Sequence, residues 1–250
     1  MKNISTFLCG VLFLVSNSYA QNLTVSAASS LTNAFKEIAT EFEKQYPSVK
    51  VQLNFAASGQ LVQQIIKGAP VDVFASADQE TMNKLLEKNL IKTADRYDFA
   101  ANALVVIVPQ TSKNKPSKLE QLTDSTYQRV AIGLPASVPV GKYTQMVLQK
   151  QGLWLAIKAK MIGSQNVRQV LDYVARGEVD AGFVYATDAA MMADKVKVAF
   201  PVPTEEKILY PIASIANSSQ YPLAQKFVSF VQSKKAREIL NKYSFGSASK

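Results

Sequence analysis

The chain has 250 residues, 28 Lys and Arg against 19 Asp and Glu, a formal net charge of +9, and no histidine. The missing imidazole removes the commonest general base, the usual nucleophilic triads and most zinc or copper sites. The one cysteine, Cys9, sits in an N-terminal apolar run, so the remainder has neither disulfide nor thiol chemistry.

Residues 1–20 carry Lys2, then the apolar run FLCGVLFLV, then NSYA ahead of Gln21. This is the pattern of a secretory signal peptide, with Ser18 and Ala20 as the small residues and a predicted cut after Ala20. The run is shorter than the roughly 20 residues that span a bilayer. Cys9 lies inside the run rather than at its end, so a lipoprotein anchor is not expected. A secreted chain without disulfides must draw its stability from a sizeable core.

From Leu23 onward, strand and helix patterns alternate. LTVSAA reads as a strand. LTNAFKEIATEFEKQYP places Leu31, Phe35, Ile38 and Phe42 at helical spacing and stops at Pro47. VKVQLNFAA is a strand, GQLVQQIIKGAP a helix ended by Gly68 and Pro70, and VDVFASA a strand. DQETMNKLLEKNL is a helix capped by Asp78. ALVVIVP is a buried strand closed by Pro109. After a polar loop come a helix over 119–124, the strand RVAIG, and a helix opened by Pro139 and Gly141. SQNVRQVLDYVARGEVD is a helix with Ser164 as its cap and Gly177 past its end. AGFVYA is a strand, TDAAMMAD a helix capped by Thr187, ILYPIASIA a strand, and the C-terminal 25 or so residues a long helix or a pair.

Such alternation predicts an α/β protein of mainly parallel sheets flanked by helices. The length after secretion suits two lobes of ordinary domain size. The expected division is 21–103 plus 208–250 for the first lobe and 104–207 for the second, with ALVVIVP and ILYPIASIA as the crossings. The lysines are scattered, as in Lys84, Lys88 and Lys92 at helical spacing, and no basic stripe is interleaved with aromatics. Nucleic-acid binding is therefore not expected.

In open α/β sheets, ligands bind beyond the carboxyl ends of strands, beside helix N-termini whose free N–H groups favour anions. Five such junctions stand out: Ala28-Ser29-Ser30, Ala57-Ser58-Gly59, Val138-Pro139-Val140-Gly141, Gln165-Asn166-Val167, and Tyr185. Each offers N–H or hydroxyl donors, and small residues let an oxyanion approach the backbone. Lys142 and Arg168, just inside two of the helices, are the only formal charges nearby, and no carboxylate lies within the junctions. A donor-only set favours a fully deprotonated oxyanion over a protonated one such as phosphate. Taken singly, Ser30 and Ser58 read equally well as helix caps, Tyr185 as a core tyrosine, and Val140 and Val167 as packing residues.

The segments AASSLTNAF, FAASGQL, GAPVDVFASAD, LVVIVP, VPVGKY, NVRQVLDYV and AGFVYATDA, in this order and spacing, resemble the periplasmic molybdate-binding proteins of ABC transporters. The resemblance implies a type II periplasmic binding protein fold: two α/β lobes joined by two crossing strands, with the ligand cleft between them. It implies binding of molybdate, and of tungstate, through the hydroxyls of Ser30, Ser58 and Tyr185 and the main-chain N–H groups of Val140 and Val167. It further implies a periplasmic monomer without cofactor or metal-ion ligands, not an enzyme, which passes its ligand to a membrane permease. Two positions depart from the family pattern. Val140 stands where Ala is common and is expected to narrow the entrance, and Ala57 and Gly59 replace a more serine-rich segment. Another tetrahedral oxyanion, sulfate first, is the alternative ligand, because sequence does not measure cavity size. A ferric-ion site would need clustered tyrosines or carboxylates, and a hydrolase would need a base and a G-x-S-x-G elbow that the chain lacks.

Overall fold

The computed structural model describes residues 21–248, so the expected signal peptide and its predicted cut lie outside the described residues. The chain runs β1 (Gln21–Ala28), α1 (Thr32–Gln45), β2 (Val49–Ala56), α2 (Ser58–Ile66), β3 (Val73–Ala75), α3 (Gln79–Glu87) and β4 (Arg96–Asn102). It passes through Ala103 into β5 (Leu104–Pro109), β6 (Val130–Gly133), α4 (Pro139–Lys150), α5 (Trp154–Lys158), β7 (Met161–Ser164) and α6 (Val167–Ala175). Then come β8 (Ala181–Tyr185), α7 (Ala186–Met191), β9 (Val196–Val202), β10 (Ile208–Ser214), α8 (Tyr221–Val231) and α9 (Lys234–Lys242).

These strands form two five-stranded sheets, ordered β2-β1-β3-β10-β4 and β7-β6-β8-β5-β9. In each, three strands run parallel, as the helical crossovers between them require. One strand in each sheet, β10 or β5, arrives from the opposite sheet and runs antiparallel to both of its neighbours. The chain changes sheet twice, at Ala103 and between Val202 and Ile208. The crossing is therefore made by continuous strand pairs, β4 into β5 and β9 towards β10. The carboxyl ends of the parallel strands in both sheets carry the junctions described above.

Three strands were not evident in the sequence: Arg96–Asn102, Met161–Ser164 and Val196–Val202. All three are sheet edges. An edge strand is buried on one side or less and so lacks the apolar run that marks a central strand. Ile162 and Val198 are indeed solvent-exposed. Two caps also fall elsewhere. Ser164 ends β7, and α6 is capped by Asn166, whose Oδ1 accepts from the Gln169 amide at 3.1 Å. Thr187 lies inside α7, which starts one residue earlier with Tyr185 at the cap position. Its hydroxyl is engaged by Asn102 instead. Asp78 does cap α3, accepting from the Thr81 amide at 2.6 Å. The 119–124 segment forms a 3-10 helix over Leu119–Thr123, and the C-terminal segment is the pair α8 and α9.

The apolar stripe of α1, with Phe35, Ile38 and Phe42, is buried. Phe227 of α8 meets it with ring centroids 5.1 Å from Phe42 and 6.3 Å from Phe35, both edge-on. This cluster seats the C-terminal helices on the first sheet. Phe227 is fully buried, so Phe227→Ala should destabilise the protein by about 3–5 kcal/mol, read as a lower urea midpoint.

Candidate functional site

All five residues singled out in the sequence come together. Ser30, Ser58, Val140, Val167 and Tyr185 line one cavity, with Ala28, Ser29, Ala57 and Ala77 from the first sheet's side and Val138 and Pro139 from the second's. A water-sized sphere can move its centre through only about 10 Å³ there. That is the room of about a single water molecule. No lining residue carries a formal charge, and Ser58 and Val140 are fully buried.

The local sequence explains how the donors are aimed. In the first turn of a helix, the N–H groups have no carbonyl one turn earlier to bond. Pro139 occupies the first position of α4 and has no N–H, so Val140 supplies that helix's first donor. Gly141 makes this placement possible: a Cβ on it would lie 1.8 Å from the Gly133 carbonyl oxygen at the end of β6. Only glycine lets the helix start press so closely on the strand. Val167 is the first residue of α6 and offers the same kind of amide. Val140's side chain is fully buried beside Gly133.

The hydroxyls have an equally defined setting. Ser58 Oγ accepts from the Ala77 amide at 3.0 Å, which occupies one of its lone pairs and leaves its proton for another partner. Ser58 is thus the first helical residue of α2 and not its cap, and Ser30 caps nothing either. Ser30 Oγ lies 3.0 Å from the hydroxyl of Tyr210. Tyr185 Oη is only 3.5 Å from the Ala77 carbonyl, a distance at which a hydrogen bond is weak. Burial pushes the phenols of Tyr185 and Tyr210 well above their ordinary value, so both remain protonated donors.

The two lobes meet around this cavity. Gly59 donates its amide to the Ser137 carbonyl at 3.0 Å across the cleft, and a Cβ at residue 59 would sit 2.6 Å from that oxygen. The glycine that departs from the serine-rich family pattern therefore gives the lobes a direct main-chain contact. Gln60 Nε2 donates to Gln165 Oε1 at 3.1 Å, and Lys142 of α4 forms an ion pair with Glu80 of α3. Arg168 does not point its charge into the cavity. Its Nη2 donates to the Ser30 carbonyl at 3.0 Å and its Nη1 to Asn33 Oδ1 at 3.3 Å, while its Nε pairs with Asp188 Oδ1 at 2.7 Å.

Asp188, Tyr210 and Asn102 are the site neighbours that sequence reasoning missed. Asp188 is the third residue of a helix, where a carboxylate reaches back to the cap amide, and that position in YATDAAM was its one signal. Tyr210 was hidden in an apolar strand, ILYPIAS, and Asn102 in an unrecognised edge strand. Asp188 is fully buried, and loss of hydration raises its carboxyl to about 6, against the opposing pull of Arg168 and the Tyr185 amide. A carboxyl whose folded value exceeds its ordinary 3.8 binds its proton more tightly in the folded chain. Its contribution to stability therefore falls as pH rises from about 4 through about 6. Compared with Asp188→Asn, which cannot titrate, the wild type should gain stability as pH is lowered from 7 to 4. Urea unfolding of both proteins across that range checks this, and a constant difference would contradict it.

The sequence profile of the bacterial extracellular solute-binding proteins matches residues 23–246. The molybdate-binding protein ModA of Escherichia coli is 38% identical over 228 residues, covering 89% of this chain and 88% of that protein. Among solved structures, the periplasmic molybdate-binding protein of Azotobacter vinelandii superposes with a TM-score of 0.78 at 24% identity, covering 89% of this chain and 98% of that one. The sulfate-binding protein SubI of Mycobacterium tuberculosis superposes with a TM-score of 0.81 at 15% identity, covering 92% and 88%. At those identities the two superpositions speak for the two-lobed fold alone. With the match of sequence along nearly the whole described chain and a closed cavity between the lobes, the chain belongs to the bacterial extracellular solute-binding proteins.

Proposed function

We propose that this protein captures molybdate, and tungstate by the same contacts, and hands it to the membrane permease of an ABC transporter. The observation that carries the reading is the neutral, closed cavity on which hydroxyl and helix N-terminal donors converge from both lobes. Ser30, Ser58 and Tyr185 would give hydroxyl hydrogen bonds, and Val140 and Val167 main-chain ones. A tetrahedral dianion has only acceptors, so it can satisfy all of these donors at once, and helix N-termini stabilise its charge without a counter-ion. The donors belong to different lobes, so bound anion favours the closed arrangement over the open one. The similarity to ModA of Escherichia coli supports molybdate as the ligand.

In this reading the chain is exported, cut after Ala20, and works outside the cytoplasmic membrane as a monomer. It is a carrier without cofactor, and its five site residues bind and do not catalyse. Its first lobe comprises 21–103 with 208–250 and its second 104–207. Sulfate has the same charge and shape as molybdate and is the second reading, favoured by the smallness of the cavity.

Thermal unfolding of the secreted form in molybdate, tungstate, sulfate and phosphate tests the proposal. An anion at a hundred times its dissociation constant should add about 2.7 kcal/mol of stability. Stabilisation by molybdate and tungstate is expected. Its absence would overturn the reading, and stabilisation by sulfate alone would replace it with the second. Ser58→Ala should weaken molybdate binding by about 1–3 kcal/mol in titration calorimetry, through loss of one hydrogen bond to a charged group. Unchanged affinity would remove Ser58 from the site.

A further inference from the structure

A serine hydroxyl can donate or accept, so a cage of hydroxyls does not by itself reject an anion that carries a proton. Turned to accept, Ser30 would receive the P–OH of hydrogen phosphate as readily as it donates to molybdate. What surrounds Ser30 removes that freedom. Asn102, the last residue of β4, receives the Ala103 amide on its Oδ1 at 2.9 Å, which fixes the side-chain amide's orientation. Its Nδ2 then faces Thr187 Oγ1 at 2.9 Å and the Tyr210 hydroxyl oxygen at 3.2 Å. An amide nitrogen only donates, so the Tyr210 oxygen accepts there and its own proton is left for Ser30 Oγ, 3.0 Å away. Ser30 accepts from Tyr210, and its proton is left for the cavity.

The direction of every bond in this chain follows from the one before it. If Ser30 turned its second lone pair to a ligand while accepting from Tyr210, its own proton would be left without an acceptor in a buried place. We propose that Tyr210 and Asn102 are positioning residues that hold Ser30 as a proton donor and thereby set the site's rejection of protonated oxyanions. This rests on the oxyanion reading above and adds to it the residues that determine selectivity. Both sit where the chain changes lobes: Tyr210 in β10, and Asn102 opposite Ile208 beside the Ala103 crossing. Thr187, the other partner of Asn102, belongs to the second lobe, so this orientation is anchored on both sides of the cleft.

The test is a ratio of affinities measured by titration calorimetry at pH 8, where molybdate and hydrogen phosphate are both dianions and differ by one proton. Tyr210→Phe keeps the ring, which packs edge-on against Phe99, Tyr185 and Phe245. Wild type should bind molybdate and strongly discriminate against phosphate. In Tyr210→Phe, the molybdate-to-phosphate preference should fall by about tenfold or more, the size of one misdirected hydrogen bond in a buried site. Asn102→Asp puts an acceptor where the amide donated, turns the Tyr210 proton away from Ser30 and should lower the same ratio, in which its added charge cancels because it repels both dianions alike. A role in packing alone would weaken both anions equally, and an unchanged ratio in both variants would overturn the proposal. If wild type binds sulfate in place of molybdate, the molybdate reading fails, but the sulfate-to-phosphate ratio still decides this inference. If wild type binds no fully deprotonated oxyanion, both fall.

Discussion

Hydrogen-bond donors buried without a partner are expensive, about 1–3 kcal/mol each, and this chain gathers them from both lobes around one small cavity. Everything near the site follows from the need to hold those donors still and supply them with an acceptor. A charged lysine or arginine facing inward would bind any anion that fits. Neutral dipoles fixed by helix starts and by neighbouring hydrogen bonds discriminate through geometry and through which side of each hydroxyl is free. The fold supplies the rigidity: parallel strands end together, each helix begins beside a strand end, and the glycine contact between Gly141 and Gly133 leaves one of those helices no room to drift.

The contacts that hold the lobes together are of a different kind from those that face the cavity. They include a main-chain bond at Gly59, an amide pair at Gln60 and Gln165, a rim ion pair between Glu80 and Lys142, and the guanidinium of Arg168. Arg168 is notable because it grips the carbonyl of Ser30, a residue whose hydroxyl side lines the cage, while Asp188 steadies it from its own lobe. Closure and occupancy thus meet on one residue through two different atoms. The formal charge that sequence inspection found near the cage is spent between the lobes and not on the cavity.

Central strands and amphipathic helices could be read directly, because Leu23–Ala28, Leu104–Pro109 and the α1 stripe have the burial that their patterns report. The site was legible at one remove: small residues at strand-to-helix junctions stand out when the junctions are placed side by side. What stayed hidden has physical reasons. Edge strands such as Met161–Ser164 bury too little to show a pattern. The neighbouring caps Ser164 and Asn166 are equally able chemically, and only pairing with β6 decided between them. Tyr210, Asn102 and Asp188 act through partners far along the chain or through burial, and neither is written in their immediate neighbours. Gly59 read as a lost hydroxyl, whereas its value lies in the space it leaves for Ser137.

Every residue lining the cavity is less than one-tenth exposed, and this has a kinetic meaning. A solute held there has no path outward through a static wall, so it can leave only when the lobes part. Residence time then depends on Gly59, Arg168 and the Glu80–Lys142 pair, which need not touch the solute, together with the solute's own bonds to both lobes. A receiving protein that levers the rim apart can unload the carrier without competing for the anion chemically. The timing of release is in this way tuned in part by residues outside the cage.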